Sequence, residues 1–520
     1  MSAHKNIVRI LKRKLGCSMQ DNKIKKIIIV GGGSSGWMAA ATLAKAIPKE
    51  HVEIQLIESS EIGIIGVGEA TLPQSTLFNK YLGLDEDDFM RRTKATFKLG
   101  IQFDNWGEKG DSYYHNFGDV GVNMDGLFFF QYWQRMNAIG KAAPIDDYIL
   151  AGLACQNKKF MRPVDAGDSP LSQITYAFHF DAKLYANYLA ELAIGKGVVR
   201  TEGKVVNVNL ENDGLIKSVK LEDGSEHSAD FFIDCSGFRS LLLGDALGVG
   251  YEDWSHWLPC DSAIAVPSAT TEDPWPYTRS SAQKAGWQWR IPLQHRVGNG
   301  HVYSSQYMSE DEATSILLEN IDGEALAEPR RIPFKTGRRK AFWEKNCIAI
   351  GLSSGFLEPL ESTSLHFVQT SIARFLSLYP DRRLNSENIA EYNRQSIFDY
   401  ECARDFIILH YHATRRTDTD FWNYCRTMDI PESLREKIDL YKNCGRVIRF
   451  NEELFAENSW FEVLHGQGIE PEAYTPLADM VPEEELIKRF ESVQRVMKNS
   501  MGHMPSHQQF IDSNCKATAI

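Results

Sequence analysis

The chain has 520 residues, of which 43% are hydrophobic and 24% charged, the proportions of a globular protein with a sizeable core. Its formal net charge of −12 argues against a nucleic-acid binder, because that function needs a basic surface. No apolar run approaches the ~20 residues that span a membrane. Nine cysteines are scattered without a Cys-x-x-Cys pair, which favours reduced thiols in a cytoplasmic protein over a disulfide framework.

Residues 1–25 differ from the rest because they are basic, and the first acidic side chain is that of Asp21. The segment has neither the apolar core nor the small-residue cleavage site of a secretory signal. We predict a disordered basic arm, and a membrane-surface or organelle-targeting segment is the alternative interpretation.

A nucleotide-binding turn is predicted at Gly31–Gly36. The apolar run Ile27–Val30 predicts a strand before it, and Trp37–Leu43 continues from it as a helix. A Gly-x-Gly-x-x-Gly turn at the start of a helix is typical of dinucleotide sites, in which the helix dipole faces the phosphates. A turn that only joins a strand to a helix is the simpler alternative. The motif by itself does not choose between FAD and NAD.

Each part of this unit has its own expected task. Gly31 permits the tight turn, Gly33 lets the backbone approach a pyrophosphate, and Gly36 lets the helix pack close to the strand. The next apolar stretch, Val52–Ile57, ends in Glu58. A carboxylate at that place accepts hydrogen bonds from a ribose, which strengthens the prediction of a nucleotide site.

Later segments are expected to return to the same site. Strands are predicted at Val205–Val208, Ile216–Leu221 and Phe231–Asp234, with Asp-Gly turns between them. The last of these runs into Cys235–Ser240, a common second nucleotide contact in flavoproteins with two dinucleotide-binding domains. Another buried strand is predicted at Cys347–Leu352. The nucleotide site is therefore expected to be discontinuous in sequence.

The segment Trp287–Pro292 reads Trp-Gln-Trp-Arg-Ile-Pro, which by itself predicts a half-buried strand ended by proline, with both tryptophans on one face. Together with Gly31–Gly36, this motif resembles the flavin-dependent halogenases of the tryptophan halogenase family. The resemblance covers most of residues 25–500. The other segments that carry it are Gly66–Thr71, Phe97–Lys98, Phe103–Trp106, Phe356–Thr363, Arg404–Phe406 and Arg416–Thr419.

The resemblance implies an α/β fold, namely the FAD-dependent two-dinucleotide-binding-domain flavoprotein fold with a mostly helical C-terminal substrate region. The expected domains are the arm 1–25, an FAD-binding core 26–365 and a helical substrate-binding region 366–520. Substrate-region segments are expected to interrupt the core at about 75–200 and 250–340. The residues implied in FAD binding are Gly31, Gly33, Ser34, Ser35, Gly36, Glu58, Gly66, Val67, Gly68, Glu69, Ala70, Gly237, Gly351 and Leu360.

The resemblance also implies the reaction. A separate flavin reductase supplies FADH2, and with O2 this oxidises halide to hypohalous acid, which halogenates an electron-rich arene. Lys98 is the matching catalytic lysine, which either donates a hydrogen bond to hypohalous acid or forms a haloamine, depending on its pKa. Glu361 is the matching carboxylate, which either accepts the ring proton or polarises the electrophile.

Four further positions follow from the resemblance. His115 and Phe117 match the residues that sandwich the aromatic substrate, and the backbone amides of Thr363 and Ser364 match the halide site. Family members that chlorinate free tryptophan usually have glycine where Ser364 stands, so the halide preference stays open.

The substrate is expected to differ from free tryptophan. In tryptophan halogenases a helical lid holds the amino and carboxyl groups of the amino acid, and the matching segment near 440–470 is shortened here. An indole or phenol type of substrate is therefore expected. We expect no nucleic-acid or membrane partner, and a monomer or a homo-oligomer.

Ordinary roles are the alternatives for these residues. Lys98 would then be a surface lysine, Glu361 a helix N-terminal acid, and His115 a core or surface histidine. The pair His410 and His412 shares one side only on a strand, and without acidic or cysteine ligands at metal spacing no metal site is expected. For the whole chain, the alternatives are a flavin-dependent aromatic monooxygenase and a non-catalytic flavoprotein.

Overall fold

The computed structural model describes residues 22–61 and 68–518, and within them five β-sheets combine with helices in a mixed α/β fold. The strands, in chain order, are β1 (Lys26–Val30), β2 (Glu53–Glu58), β3 (Gly68–Ala70), β4 (Thr96–Lys98), β5 (Gly100–Asp104), β6 (Ser112–Asn116), β7 (Ala177–Asp181), β8 (Val199–Glu202), β9 (Val205–Leu210), β10 (Ile216–Leu221), β11 (Glu226–Ser228), β12 (Phe231–Asp234), β13 (Tyr251–Asp253), β14 (Ser262–Ser268), β15 (Thr278–Gln283), β16 (Gly286–Pro292), β17 (Val297–Tyr303), β18 (Arg330–Pro333), β19 (Gly337–Arg339), β20 (Trp343–Glu344), β21 (Cys347–Ala349) and β22 (Gly355–Phe356).

The helices lie between and after these strands. The α-helices are α1 (Ser34–Ala46), α2 (Gln74–Leu82), α3 (Glu86–Arg92), α4 (Phe129–Ala138), α5 (Leu150–Gln156), α6 (Ala182–Gly195), α7 (Glu310–Asn320), α8 (Ser364–Ser377), α9 (Ser386–His412), α10 (Asp420–Thr427), α11 (Glu432–Cys444), α12 (Glu457–Gly466), α13 (Glu483–His503) and α14 (His507–Asn514). Short 3-10 helices are Ile145–Tyr148, Pro170–Ser172, Gly237–Arg239, Gly351–Ser353, Pro359–Glu361 and Pro476–Met480, and Leu241–Ala246 is a π-helix.

A six-stranded sheet combines strands from between residues 26 and 349, in the order β20-β21-β12-β1-β2-β8. All neighbours except β20 and β21 are parallel. Strand β1 is apolar and buried from Ile27 to Val30, because a parallel strand is covered on both faces. The carboxyl ends of β1, β12 and β21 meet at one edge, which is where open α/β sheets bind ligands.

The strands predicted at 27–30, 205–208, 216–221 and 231–234 agree with the structure, and the strand predicted at 347–352 agrees only in part. Strands β10 and β12 have the predicted bounds, and β9 extends to Leu210. The prediction of one strand over Cys347–Leu352 is wrong beyond Ala349. Gly351 adopts a φ of +76° there and the chain turns into a 3-10 helix. The predicted basic arm lies outside the described residues up to position 21.

A seven-stranded sheet, in the order β18-β14-β17-β16-β15-β5-β6, forms the second large layer. Its neighbours are antiparallel except β15 and β5. Strand β16 contains the Trp-Gln-Trp motif and ends at the predicted Pro292. All seven of its residues are buried, so the prediction of a half-buried strand is wrong, because β16 lies in the middle of the sheet.

A small antiparallel sheet, β3-β7-β4, lies beside the seven-stranded sheet. Lys98 is the last residue of β4 and pairs with Ala177 of β7. Strand β5 begins two residues later, at Gly100, and its partner β6 contains His115. Because β4 and β5 are almost continuous, Lys98 and His115 lie at neighbouring sheet edges.

From Ser364 onwards the described elements are helices, α8 to α14, with one short 3-10 turn between α12 and α13. The second half of α9, from Ala403 to Tyr411, is buried at every residue. This helix therefore passes through the core and contributes side chains to it. No helix of the described residues is long and apolar enough to cross a membrane.

The conformational requirement at Gly31 and the open space at Gly33 can be separated by substitution. Gly31 has a φ of +116°, and a Cβ there would lie 2.1 Å from the carbonyl oxygen of Cys235, whereas a Cβ on Gly33 would meet nothing within 4 Å. We expect Gly31→Ala to lower the free energy of unfolding by about 1–3 kcal/mol or more. Gly33→Ala should cost less than about 1 kcal/mol. Urea unfolding of the flavin-free protein measures both values, and equal losses would contradict this account.

Candidate active site

A turn between β22 and α8 carries several of the predicted groups. The 3-10 helix Pro359–Glu361 is followed by Ser362, which has a φ of 59°, and α8 begins at Ser364. A left-handed serine is uncommon and persists only where its surroundings hold it. We call residues 358–364 the catalytic turn, after the predicted catalytic carboxylate of Glu361.

Lys98 is fully buried and points its amine at this turn. Its Nζ donates to Ser362 Oγ at 2.9 Å and to the carbonyl oxygen of Thr71 at 3.1 Å. The same atom lies 5.1 Å from the ring centroid of Phe117. Burial lowers the pKa of Lys98 to about 7, although the negative charge of Glu361 opposes that shift. The alternative of a surface lysine is therefore wrong.

Glu361 is fully buried between two histidines. Its Oε2 lies 2.8 Å from His115 Nδ1 in a hydrogen bond, and its Oε1 lies 2.9 Å from His410 Nε2. The alignment of the second contact is poorer than that of the first. Burial raises the pKa of Glu361, but the two histidines outweigh it and bring the pKa down to about 2. Burial lowers the pKa of His115, but the charge of Glu361 and its hydrogen bond have the larger combined effect, so the pKa is raised overall.

His115 and Phe117 project from the same edge of the seven-stranded sheet, two positions apart. Consecutive residues of the loop before α12 cover them. Leu454 packs against the small cluster formed by Leu72, Phe117 and Ala177. The ring of Phe455 lies 6.0 Å from that of His115. The ring of Phe455 is also stacked on Phe406 of α9 at 3.8 Å. The predicted substrate-sandwich residues therefore lie beside Lys98 and Glu361, under an apolar cover.

A buried ion pair anchors the loop that carries this cover. Lys437 of α11 lies 2.7 Å from Glu453 and donates to the carbonyl oxygen of Ile448 at 3.0 Å. Its amine also lies 4.0 Å from the ring centroid of Phe450 and 4.6 Å from that of Trp460. Because Glu453 directly precedes Leu454, this pair holds the apolar cover in place.

Sequence reasoning missed two groups of this site. His410 was considered only for a strand, but α9 is a helix, and the turn of the helix separates His410 from His412 and directs it to Glu361. Glu358 was not singled out, yet it is fully buried and accepts hydrogen bonds from Trp287 and Tyr411. Neither contact has a local signal, because both partners are distant in sequence. Among residues 22–61 and 68–518, no cluster of histidine, cysteine and acidic side chains could hold a metal ion.

Two of the segments predicted for FAD, Gly31–Gly36 and Gly351, lie together at the carboxyl edge of the six-stranded sheet, after β1 and β21. Helix α1 begins at Ser34 without a side-chain cap, and the open space beside Gly33 can admit a diphosphate. A Cβ on Gly351 would come within 2.9 Å of Ser35 Oγ, so the first and third segments of the site are in contact. These features fit a bound flavin nucleotide.

The remaining predicted FAD residues are placed as follows. Glu58 ends β2 and pairs with Arg200 at 2.5 Å. Gly36 is buried against Gly31, and Gly237 has a φ of +74° with open space around its Cα. Gly68, Glu69 and Ala70 form β3, and Leu360 lies in the catalytic turn. Gly66 and Val67 lie outside the described residues.

Three kinds of comparison identify relatives of this chain. The family model described as tryptophan halogenase matches residues 26–483. The tryptophan 7-halogenase RebH of Lentzea aerocolonigenes is 36% identical over 94% of this chain and 98% of its own. Xcc4156, a flavin-dependent halogenase from Xanthomonas campestris, superimposes with a TM-score of 0.93 at 44% identity over 96% of this chain and 100% of its own. BrvH, a flavin-dependent halogenase from Brevundimonas sp. BAL3, gives 0.91 and 43% over 94% and 99%.

The depressed pKa of Lys98 predicts a pH-dependent contribution to stability. Between pH 7 and pH 9 the unfolded chain binds more protons at Lys98 than the folded chain, so stability should rise with pH. We expect the unfolding free energy of the wild type, minus that of Lys98→Met, to increase by about 2 kcal/mol over this range. Urea unfolding at both pH values measures it.

The matched control is Lys284→Met, which removes an exposed lysine. Its difference from the wild type should stay nearly constant between the two pH values. A constant difference for Lys98→Met as well would mean that Lys98 keeps an ordinary pKa in the fold.

Proposed function

This chain belongs to the tryptophan halogenase family and is a flavin-dependent halogenase, and we propose that it uses FADH2, O2 and halide to halogenate an indole- or phenol-type arene. The observation that carries the proposal is the buried amine of Lys98, which contacts the catalytic turn and lies beside Phe117. In this proposal the core 26–365 binds FAD and the helical region 366–520 completes the substrate site.

Bound reduced flavin would supply the two electrons that let O2 oxidise halide to hypohalous acid. The helix N-terminus at Ser34, with Gly33 and Gly351 nearby, would hold the diphosphate. The amides of Thr363 and Ser364, at the start of α8, would hold the halide, where backbone N–H groups and the helix dipole favour an anion.

Lys98 would deliver the electrophile to the arene. With a pKa near 7, its amine exists in both protonation states at neutral pH. The ammonium form can donate a hydrogen bond to the oxygen of hypohalous acid. The neutral form can displace water from hypohalous acid to give a haloamine, and the ring then takes the halogen and releases a proton. Both routes need Lys98 in the buried position that it occupies.

Glu361 would act through its charge. A general base works best with a pKa near the operating pH, and a carboxyl group with a pKa of about 2 is a poor proton acceptor. A permanently ionised carboxylate in an apolar core stabilises positive charge that develops beside it. We therefore propose that Glu361 stabilises the cationic ring intermediate and the Lys98 ammonium, with His115 in contact with it.

The surroundings of Phe117 favour a substrate without a carboxylate. A cavity of about 280 Å³ borders Phe117 and Leu99, and its lining contains the carboxylates of Asp119 and Asp168 but no lysine, arginine or histidine. The cover over His115 and Phe117 is apolar. A substrate carboxylate would thus find no cationic partner in this lining, whereas a neutral arene needs none.

A separate flavin reductase is the proposed source of FADH2, because only one glycine-rich dinucleotide turn is evident in the sequence. A cytoplasmic location is proposed because all eight cysteines of the described residues are unpaired.

Loss of Lys98 should stop halogenation selectively. With a flavin reductase, bromide and indole supplied, Lys98→Ala should lower the rate of arene halide formation by about 10³-fold or more while hydrogen peroxide is still produced. Mass spectrometry of the arene and a peroxide assay measure the two products. Lys98→Arg separates the hydrogen-bond route from the haloamine route, since a guanidinium donates hydrogen bonds but does not lose its proton to form a haloamine.

Two outcomes would contradict the proposal. A near-wild-type rate for Lys98→Ala would remove Lys98 from the reaction. Oxygenated product that forms equally well without halide would instead indicate an aromatic monooxygenase.

Free tryptophan should be a poor substrate. Losing two charge-assisted hydrogen bonds, each worth roughly 1.5–3 kcal/mol, costs about two to four decades of affinity. In a competition between indole and tryptophan at equal concentration, with bromide supplied, we expect brominated indole to dominate by about 10²-fold or more. A decisive excess of brominated tryptophan would mean that another segment binds the amino acid.

A further inference from the structure

The first residue of the catalytic turn is held by two residues that the reaction itself does not use. Glu358 is fully buried. Its Oε2 accepts a hydrogen bond from the indole Nε1 of Trp287 at 2.9 Å and another from the hydroxyl of Tyr411 at 2.6 Å. Trp287 belongs to β16 and Tyr411 to α9. One oxygen atom of Glu358 thus connects the catalytic turn to the seven-stranded sheet and to helix α9.

The same helix holds the second carboxylate of the turn. His410 lies 2.9 Å from Glu361, and the next residue, Tyr411, donates to Glu358. The first and last residues of the segment 358–361 therefore each contact one of two successive residues of α9. The ring of Trp106 packs between, with its centroid 5.3 Å from that of Tyr411 and 6.4 Å from that of Trp287.

We propose that Trp287 and Tyr411 are positioning residues which, through Glu358, set the geometry of the halide-binding end of the catalytic turn. The inference rests on the proposed function, because it assigns the halide to the amides of Thr363 and Ser364. Between Glu358 and these amides the backbone passes through the left-handed residue Ser362, whose hydroxyl accepts from Lys98. A displacement of Glu358 would therefore move both the amides that hold the halide and the Ser362 hydroxyl that binds Lys98.

The chemistry of Glu358 makes it sensitive to the loss of one donor. Burial raises the pKa of Glu358 to about 7, and the hydrogen bonds from Trp287 and Tyr411 oppose that rise. Its other oxygen, Oε1, has no hydrogen-bond partner among the described residues. A buried carboxylate with a single remaining donor is poorly compensated and will protonate or rotate, which moves the turn.

The second tryptophan of the Trp-Gln-Trp motif, Trp289, provides a matched control for Trp287. Trp289 lies on the same face of β16, with its ring centroid 6.2 Å from that of Trp287, and is buried as well. Its Nε1 has no hydrogen-bond partner among the described residues. Trp287→Phe and Trp289→Phe therefore remove similar volume from one strand, but only the first takes a hydrogen bond away from Glu358.

The experiment compares full-length wild type, Trp287→Phe, Tyr411→Phe and Trp289→Phe, each supplied with FAD and a flavin reductase. The halide KM and kcat are measured with indole at varied bromide, together with the hydrogen peroxide released per arene halide. Chloride binding to the FAD-supplied proteins without reductant, followed by chloride-35 NMR line broadening, gives a second readout. FAD binding reports that each variant is folded.

We expect Trp287→Phe and Tyr411→Phe to raise the halide KM and weaken chloride binding by about tenfold or more, and to release more peroxide per product. Trp289→Phe should stay within about twofold of the wild type. A merely structural role would lower the active fraction and leave the halide KM unchanged. If Trp287→Phe fails to fold, Tyr411→Phe carries the test, because it removes a single oxygen atom.

Two outcomes would overturn the inference but leave the proposed function standing, since the wild type would still make arene halide. One is an equal effect of Trp287→Phe and Trp289→Phe. The other is an unchanged halide KM in both Trp287→Phe and Tyr411→Phe. A wild type that makes no arene halide would overturn the proposed function and the inference with it.

Discussion

The burial of two opposite charges in one apolar core is the constraint on which the site depends. Lys98 and Glu361 are both fully buried, and an uncompensated ion in such an interior would cost more than a domain's net stability. Compensation comes from Ser362 and Thr71 on the amine and from His115 and His410 on the carboxylate. These partners come from several distant segments, so the charged groups can be accommodated only once the whole fold is assembled.

The same compensation separates the chemistry of the two groups. Burial dominates at Lys98 and lowers its pKa to about 7, whereas the histidines dominate at Glu361 and bring its pKa to about 2. Both pKa values are lowered, so at neutral pH the amine can lose its proton while the carboxylate stays ionised. The amine is thus available for hydrogen bonding or nucleophilic attack, while the carboxylate supplies a constant field.

Helix α9 connects the parts of the site. It is 27 residues long, and His410 and Tyr411 near its end contact Glu361 and Glu358. Farther back, Phe406 stacks on Phe455 of the apolar cover. The proposed substrate side of the site is therefore shaped by aromatic packing, and the polar groups face the catalytic turn. That division fits a substrate recognised by its ring rather than by charged ends.

Local patterns were sufficient for several elements of the nucleotide-binding region. The apolar run Ile27–Val30, the glycines that follow it and the strands up to Phe231–Asp234 follow from periodicity and turn chemistry. Lys98 and Glu361 were found through motif resemblance. The half-buried interpretation of β16 failed because residue types do not reveal whether a sheet face is covered.

Contacts between distant residues were decided by tertiary packing. Nothing in the sequence near His410 indicates that it meets Glu361, and nothing near Trp287 indicates that its indole N–H reaches Glu358. The amino-acid sequence determines which segments become strands, turns and helices, because those choices depend on neighbours within a few positions. Which side chains meet in the core depends on how sheets and helices stack, and only that stacking sets the burial and charge around Lys98.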